Sequence, residues 1–372
     1  MRPYAPPFKV RTIGAILAGV VTSERERDLR ARILAELPKA ARAMHPWRLV
    51  LGIPLLLLIV GGTVAVVRLP LAWYAALPIS VGLGALYASL FFFGHEVGHG
   101  AIIRSRHGQS AVLYLTCLIY CLSPHLWQLW HNHAHHGHTN EPDRDPDSFG
   151  TLEHFRRNPV SQALAGFAPG SGHWLSVLYL LTFFTAQSHY VLWLNSFTEE
   201  FRRLDRRRAK LESAAMALFW VIVGVWAGPG GALLGVVIPM LTVNGVMMSY
   251  VVTNHMLRPL ATGPNALETT MSVSTSKVLD LLFFNFSHHV EHHLFPSMSP
   301  RFYPLVRKSL RRLVGDRYLA PSHWRALRLV FCTPRLYADF HTLVDAHGGS
   351  RVSTATVEAA LRGLAGDEGR KR

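Results

Sequence analysis

Two apolar runs near the start of the chain leave it little choice of environment. Leu49 to Val67 is almost wholly apolar, and Leu71 to Phe93 runs for 23 residues without a charge. As helices, both can cross a hydrocarbon core of about 30 Å. The link Arg68-Leu69-Pro70 folds them into a hairpin. A second pair is expected further on: Ala214 to Ala227, which is short for a span, a turn at Gly228-Pro229-Gly230-Gly231, and Ala232 to Thr253. Of 372 residues, 49% are hydrophobic and only 16% charged, unusual for a soluble protein. The fold expected is all-α and integral to a membrane, with four transmembrane helices in two hairpins.

A formal charge of +15 could suggest nucleic acid, but the basic residues fall outside the apolar runs, in 25–48, 202–210 and 301–372. That distribution fits anionic headgroups and a cytoplasmic excess of Lys and Arg, and no nucleic-acid partner is expected. If the basic N-terminal region and 202–210 are both cytoplasmic, an even number of crossings separates them. The first hairpin supplies two. Ala111 to Leu122 and Trp174 to Leu194 are then re-entrant, interfacial or packed on the other helices, and the second hairpin returns the chain to the cytoplasm before Asn254. Three regions follow: a basic cytosolic or interfacial segment (1–48), a membrane domain (49–300) and a basic, mostly helical cytosolic cap (301–372). Ile13 to Val21 is short and lacks a convincing cleavage site, so it reads as a packed or interfacial segment and not as a signal peptide. The three cysteines, Cys117, Cys121 and Cys332, form no disulfide framework and are expected to be buried packing residues.

Chemistry is concentrated in the 21 histidines, many of which fall in three tight groups just beyond the apolar stretches. His95 and His99 are spaced i, i+4 and share a helix face. His131, His135 and His136 follow at i, i+4, i+5, and His289, His292 and His293 at i, i+3, i+4. Adjacent histidines differ by about 100° around a helix, so pairs such as His292-His293 suit two neighbouring metals better than one. Imidazole accepts iron, zinc, copper or nickel; this many neutral nitrogens exceeds one tetrahedral zinc site and favours two redox-active irons. His45, His107, His125, His173 and His189 read as solvated or packed residues. Among the acids near these groups, Asp143, Asp145, Asp147, Glu96 and Glu291, the preferred partners for orienting ligand imidazoles are Asp147 and Glu291.

In order, the three groups resemble the H-x3-H, H-x3-HH and H-x2-HH boxes of the membrane fatty acid desaturase family. The resemblance runs from about Leu49 to Pro300 and extends to Thr139-Asn140, Asp145-Pro146-Asp147 and the segment Glu291 to Pro296. It implies a ninth ligand, His255 in Thr253-Asn254-His255, with Asn254 either binding a metal-linked water or capping a helix. His133, His138 and His288 become neighbours of ligands. The implied activity is oxygen-dependent insertion of a double bond into an acyl chain, carried as lipid or thioester, at a cytosolic di-iron site. No haem or ferredoxin motif is evident in the sequence, so a separate ferredoxin or cytochrome b5-like donor is expected, docking on a basic surface that includes Arg307, Lys308, Arg311 and Arg312. A hydroxylase or ketolase of the same type is the nearest alternative. A zinc protease is a distant one, because His95-Glu96-Val97-Gly98-His99 also satisfies H-E-x-x-H. That reading leaves the other two groups unexplained.

Overall fold

The computed structural model describes residues 13–194, 199–263, 265–346 and 349–363, with side chains from residue 24 onward except at residue 200. Among the described residues, four apolar helical stretches are long enough to cross a membrane: Pro46–Arg68, Trp73–Gly98, Trp174–Trp193 and Arg206–His255. The first contains α2 (Gly52–Arg68), and the second is α3 (Trp73–Gly98). Helix α1 (Ile13–Glu36) precedes them, and α4 (Arg106–Thr116) and α5 (Pro124–Gln128) follow. Trp174–Trp193 ends in α6 (Val177–Trp193). The fourth stretch, 50 residues long, breaks into α7 (Arg206–Ala232) and α8 (Ile238–His255).

Within α7 the chain kinks at Gly228, whose φ of 68° is open to glycine at no steric cost, and Pro229 follows without an N–H to continue the ladder; a π-helix, Leu233–Val237, then leads into α8. A kink therefore lies where the turn is expected, and α7 starts eight residues before Ala214. Val67 lies against Gly231 and Gly235, and the Arg68 guanidinium sits 4.3 Å from the Trp226 ring centre. The link at 68–70 thus lies beside the kink in α7. Helix α6 packs against α8, where Asn244 Nδ2 donates to Thr185 Oγ1 at 3.0 Å and Asn244 Oδ1 accepts from the Thr185 amide at 3.1 Å. It is packed on its neighbours, as expected, yet it also has the length and apolarity of a span.

Small residues let these helices approach closely. A Cβ on Gly84 would run into Thr242 and the Pro239 carbonyl of α8; one on Gly94 would meet Thr116, and one on Gly98 would meet Trp127. The backbone of α3 therefore touches α8, α4 and α5 directly. Around it lies an aromatic core in which Phe91 meets Tyr120, Trp127 and Phe184 edge-on at 5.0–5.8 Å.

Beyond the spans, α9 (His289–Leu294) and α10 (Tyr303–Val314) build a cap. Val306 and Leu310 of α10 share a cluster with Leu29, Ile33 and Leu37. Two expectations need correction. The chain is mostly helical but not all-α: Leu336–Tyr337, Thr342–Val344 and Arg351–Ser353 form an antiparallel sheet. These strands are too short and too close to Pro334 and Gly349 to show a period of their own. Cys117 is buried and Cys121 partly so, but Cys332 is exposed.

Candidate metal centre

The last turn of α3 carries His95 and, at its C-cap, His99. The next group does not continue as an ordinary helix. After α5 the chain widens into a π-helix, Leu129–His135, held by bonds one residue longer than those of an α-helix. This geometry brings residues five apart together, and His131 and His136 meet Nε2 to Nε2 at 3.2 Å. The end of α8 supplies His255, and α9 supplies His289, His292 and His293.

All nine histidines converge in two groups, within each of which the nitrogens lie within 4.8 Å of one another. His95, His99, His131, His136 and His292 form one; His135, His255, His289 and His293 form the other. Each adjacent pair is split between them: His135 from His136, and His292 from His293. His95 Nε2 approaches His131 Nε2 at 2.7 Å, His292 approaches His136 at 2.9 Å, and His289 approaches His255 at 2.7 Å and His293 at 3.1 Å.

One further contact is not a hydrogen bond between neutral rings. His135 Nδ1 donates to Asp145 Oδ1 at 2.9 Å. His293 Nδ1 faces Thr139 Oγ1 at 3.3 Å, and that hydroxyl already donates to the His135 carbonyl. With both ring protons on Nδ1, the Nε2 lone pairs of His135 and His293 face each other at 3.3 Å with no proton to share. A cation between such pairs relieves the repulsion, and right-angle nitrogens around a metal at about 2.1 Å would be about 3.0 Å apart. His99 Nε2 is buried with no hydrogen-bond partner. The donor set fits two ions.

Burial, reinforced by neighbouring imidazoles, holds His99, His131, His136, His289, His292 and His293 well below the ordinary histidine range, so they are neutral at pH 7 with lone pairs to offer. His135 differs. Burial pulls it down, but the Asp145 and Asp147 carboxylates outweigh that and leave it raised.

The surrounding contacts depart from the sequence reading in several places. Asp145 is the nearer carboxylate to His135; Asp147 lies at 3.4 Å, accepts from Trp130 Nε1 at 3.0 Å, and is pushed up to about 6 by burial. Glu291 bonds none of the nine histidines. It accepts from Ser272, Tyr318 and Arg307 at 2.5, 2.6 and 2.9 Å, because its place on α9 points it into the cap. The sequence reading missed Tyr303, which meets His292 Nδ1 at 3.2 Å, and Thr139. Asn140 Nδ2 donates to the carbonyls of His255 and Thr269, both at 3.0 Å, tying the second group to α8. Asn254 is fully buried, and neither side-chain polar atom has a partner. His288 meets Ser287 and not either group; burial lowers it to about 4. His125 has a partner after all, Glu212 at 2.8 Å, and His138 pairs with Glu141 at 2.7 Å.

Glu96 decides against the protease reading. Its carboxylate receives Arg48 Nε and Nη2 at 2.7 and 2.8 Å and the Ser299 hydroxyl at 2.9 Å, so it is committed to a buried pair and not to activating water.

Fold and site together define a helical membrane protein with a buried polyhistidine centre suited to metal. Residues 70–325 match the fatty acid desaturase family, to which the chain belongs; it is an oxidoreductase that desaturates fatty acyl chains. Relatives include an acyl-lipid (7-3)-desaturase of Rebecca salina, 24% identical over 347 residues, 85% of this chain and 75% of the relative. A putative fatty acid desaturase 2-like protein of Homo sapiens is 23% identical over 338 residues, 84% and 68% of the two chains. A delta(8)-fatty-acid desaturase 2 of Arabidopsis thaliana is 24% identical over 283 residues, 68% and 62%.

Proposed function

We propose that the nine histidines hold two irons and that the protein uses oxygen to introduce a double bond into an acyl chain, drawing electrons from a separate carrier. The observation that supports this most is the sorting of His95, His99, His131, His136 and His292 into one group and His135, His255, His289 and His293 into the other. Bound iron supplies the oxidation of an unactivated C–H bond, which protein acids and bases cannot attack. The chain's own residues do the rest. Asp145 fixes the ring proton of His135 on Nδ1, and Tyr303 accepts from His292 while donating to the Phe295 carbonyl. Trp127 stacks on His131 at 5.1 Å, and Phe286 lies 5.2 Å from both His95 and His289, an aromatic wall that keeps water from the site.

Loss of two hydrogens from adjacent methylenes supplies two electrons, whereas reducing one O2 to two waters takes four. Two further electrons and two protons must arrive from outside, and a ferredoxin or a cytochrome b5-like protein supplies the electrons. The substrate is an acyl lipid or an acyl thioester. In this reading two hairpins, α2–α3 and α7–α8, cross the bilayer, and the basic segments 25–48 and 202–210 support a site on the cytoplasmic face. Arrival within the bilayer positions the chain beside the site before any chemistry.

The test is the fatty acid profile, by mass spectrometry, of a host expressing the chain beside a His292→Ala, His293→Ala version. New unsaturated chains are expected only with the intact protein, together with loss of bound iron in the variant. Oxygenated products would reassign the enzyme to hydroxylation, and an unchanged profile from iron-loaded, reduced protein would reject acyl lipids as substrate.

A further inference from the structure

The basic turn of α10 is a poor place for a donor to dock. Arg307 points inward to Glu291 and the Val273 and Ser287 carbonyls, and Arg312 pairs with Glu36. Arg312 is exposed but already paired, which leaves Lys308 and Arg311 of that quartet, and Arg311 lies by the Tyr318 ring. A different face is better suited. An open polar cleft of about 290 Å³ is lined by Arg42, Met44, His99, Gly100, Arg104 and Gln109, among others, and no carboxylate lines it. Gly100, at a φ of 75°, turns the chain away immediately after His99 and leaves that ring half-buried at the base of the cleft. His136 and His293 are half-buried too, but neither lines this cleft.

The cleft is built and not accidental. The His45 amide donates to the Ala101 carbonyl at 3.1 Å, and the His45 ring bonds the Ala40 carbonyl at 3.0 Å, joining the segment with Arg42 to the loop with Arg104. Lys39 shares a helical turn with Arg42, Arg106 lies two residues from Arg104, and all four are exposed. Met44, 37% exposed, adds an apolar contact amid this charge.

We propose that an acidic one-electron carrier protein docks over this cleft, with Arg42, Arg104 and Arg106 receiving its carboxylates and His99 lying closest to its redox centre. The need for a donor rests on the di-iron reading above. Each encounter oxidises the carrier by one electron, and two encounters supply the two electrons that acyl oxidation leaves wanting. Clustered like charge of this kind steers an oppositely charged partner and makes its binding salt-dependent.

The experiment measures binding of an acidic plant-type [2Fe–2S] ferredoxin to the full chain in zwitterionic nanodiscs, across ionic strength and without turnover. Arg104→Glu, Arg106→Glu is expected to weaken binding at low salt by about tenfold or more and to flatten its salt dependence. Adding Arg42→Glu should deepen the loss, while Lys308→Glu, Arg311→Glu leaves binding unchanged. Equal binding by the Arg104, Arg106 variant overturns the proposal, as does loss confined to the Lys308, Arg311 variant. If the Arg104, Arg106 variant loses affinity only for phosphatidylserine vesicles, the cleft is a headgroup site and the proposal fails. Iron content and dithionite reduction are followed in parallel. Ferredoxin binding that depends on Arg104 in a wild-type protein holding no iron would sink the di-iron reading and leave the docking surface standing.

Discussion

The Asp145 carboxylate accepts from three donors at once: His135 Nδ1 at 2.9 Å, the Asn140 amide at 2.7 Å and the Asp147 amide at 2.9 Å. It therefore sets both the proton position on His135 and the path of the loop that follows. Asp145→Asn should lower iron affinity by about 10–100-fold, the range for losing a partner of a ligating imidazole. Asp147→Asn should cost less, because its His135 contact is longer and Trp130 shares it. Iron titration of both variants checks the order, and an equal or reversed effect would count against it. Arg48 and Glu96 make a second residue-level case. Arg48→Met strands a buried carboxylate and should destabilise the protein by about 3–5 kcal/mol. Adding Glu96→Gln should recover part of that loss in thermal unfolding of the solubilised protein. No recovery would mean that the pair matters for packing and not for charge.

Between elements, the crossing of α3 and α8 depends on the missing side chain at Gly84. Gly84→Ala must push Thr242 or the Pro239 carbonyl aside and should destabilise by about 1–3 kcal/mol, the usual cost of overpacking. Gly82→Ala, two residues away and facing open space, should be neutral or better. Equal thermal midpoints for the two variants would show that the crossing is looser than its geometry. This scale also shows how far the sequence is informative. Histidine spacing foretells that adjacent pairs part and that His95 and His99 meet, because that follows from 100° per residue, but not that His131 joins His136 in place of His135. The π-helix at 129–135 was not legible, since its wider turn is set by tertiary contacts and leaves no mark in residue types. Tyr303 was missed because it reaches His292 from another helix, and Glu291 was misassigned because nearness in sequence does not fix direction. The apolar period marks α6 as helical and buriable, yet it cannot separate a span from a helix packed on spans.

For the whole molecule, the cost of gathering so many neutral imidazoles appears as a dependence of stability on pH. His99, His131, His136, His289, His292 and His293 have folded-state values well below 6.5, chiefly through burial. Below about pH 6.5 the unfolded chain takes up protons at these positions and the metal-free fold does not. Stability is therefore full above that pH and is lost progressively as pH falls towards the folded-state values. His135, raised by its carboxylates, has the opposite sign: its contribution is present below 6.5 and lost above its folded value. Asp147, pushed up to about 6, likewise gains relative stability as pH falls through 6 towards 4. Six groups outweigh two, so the thermal midpoint of metal-free protein should drop steadily between pH 7.5 and about 5.5. Replacing His292 and His293 with asparagine removes two of the six proton deficits and should flatten the curve, even if it lowers the midpoint at pH 7.5. A metal-free midpoint that is level or rises on acidification would mean that the imidazoles are hydrated and protonatable in the folded state, and that the centre is not the dry cage its packing describes.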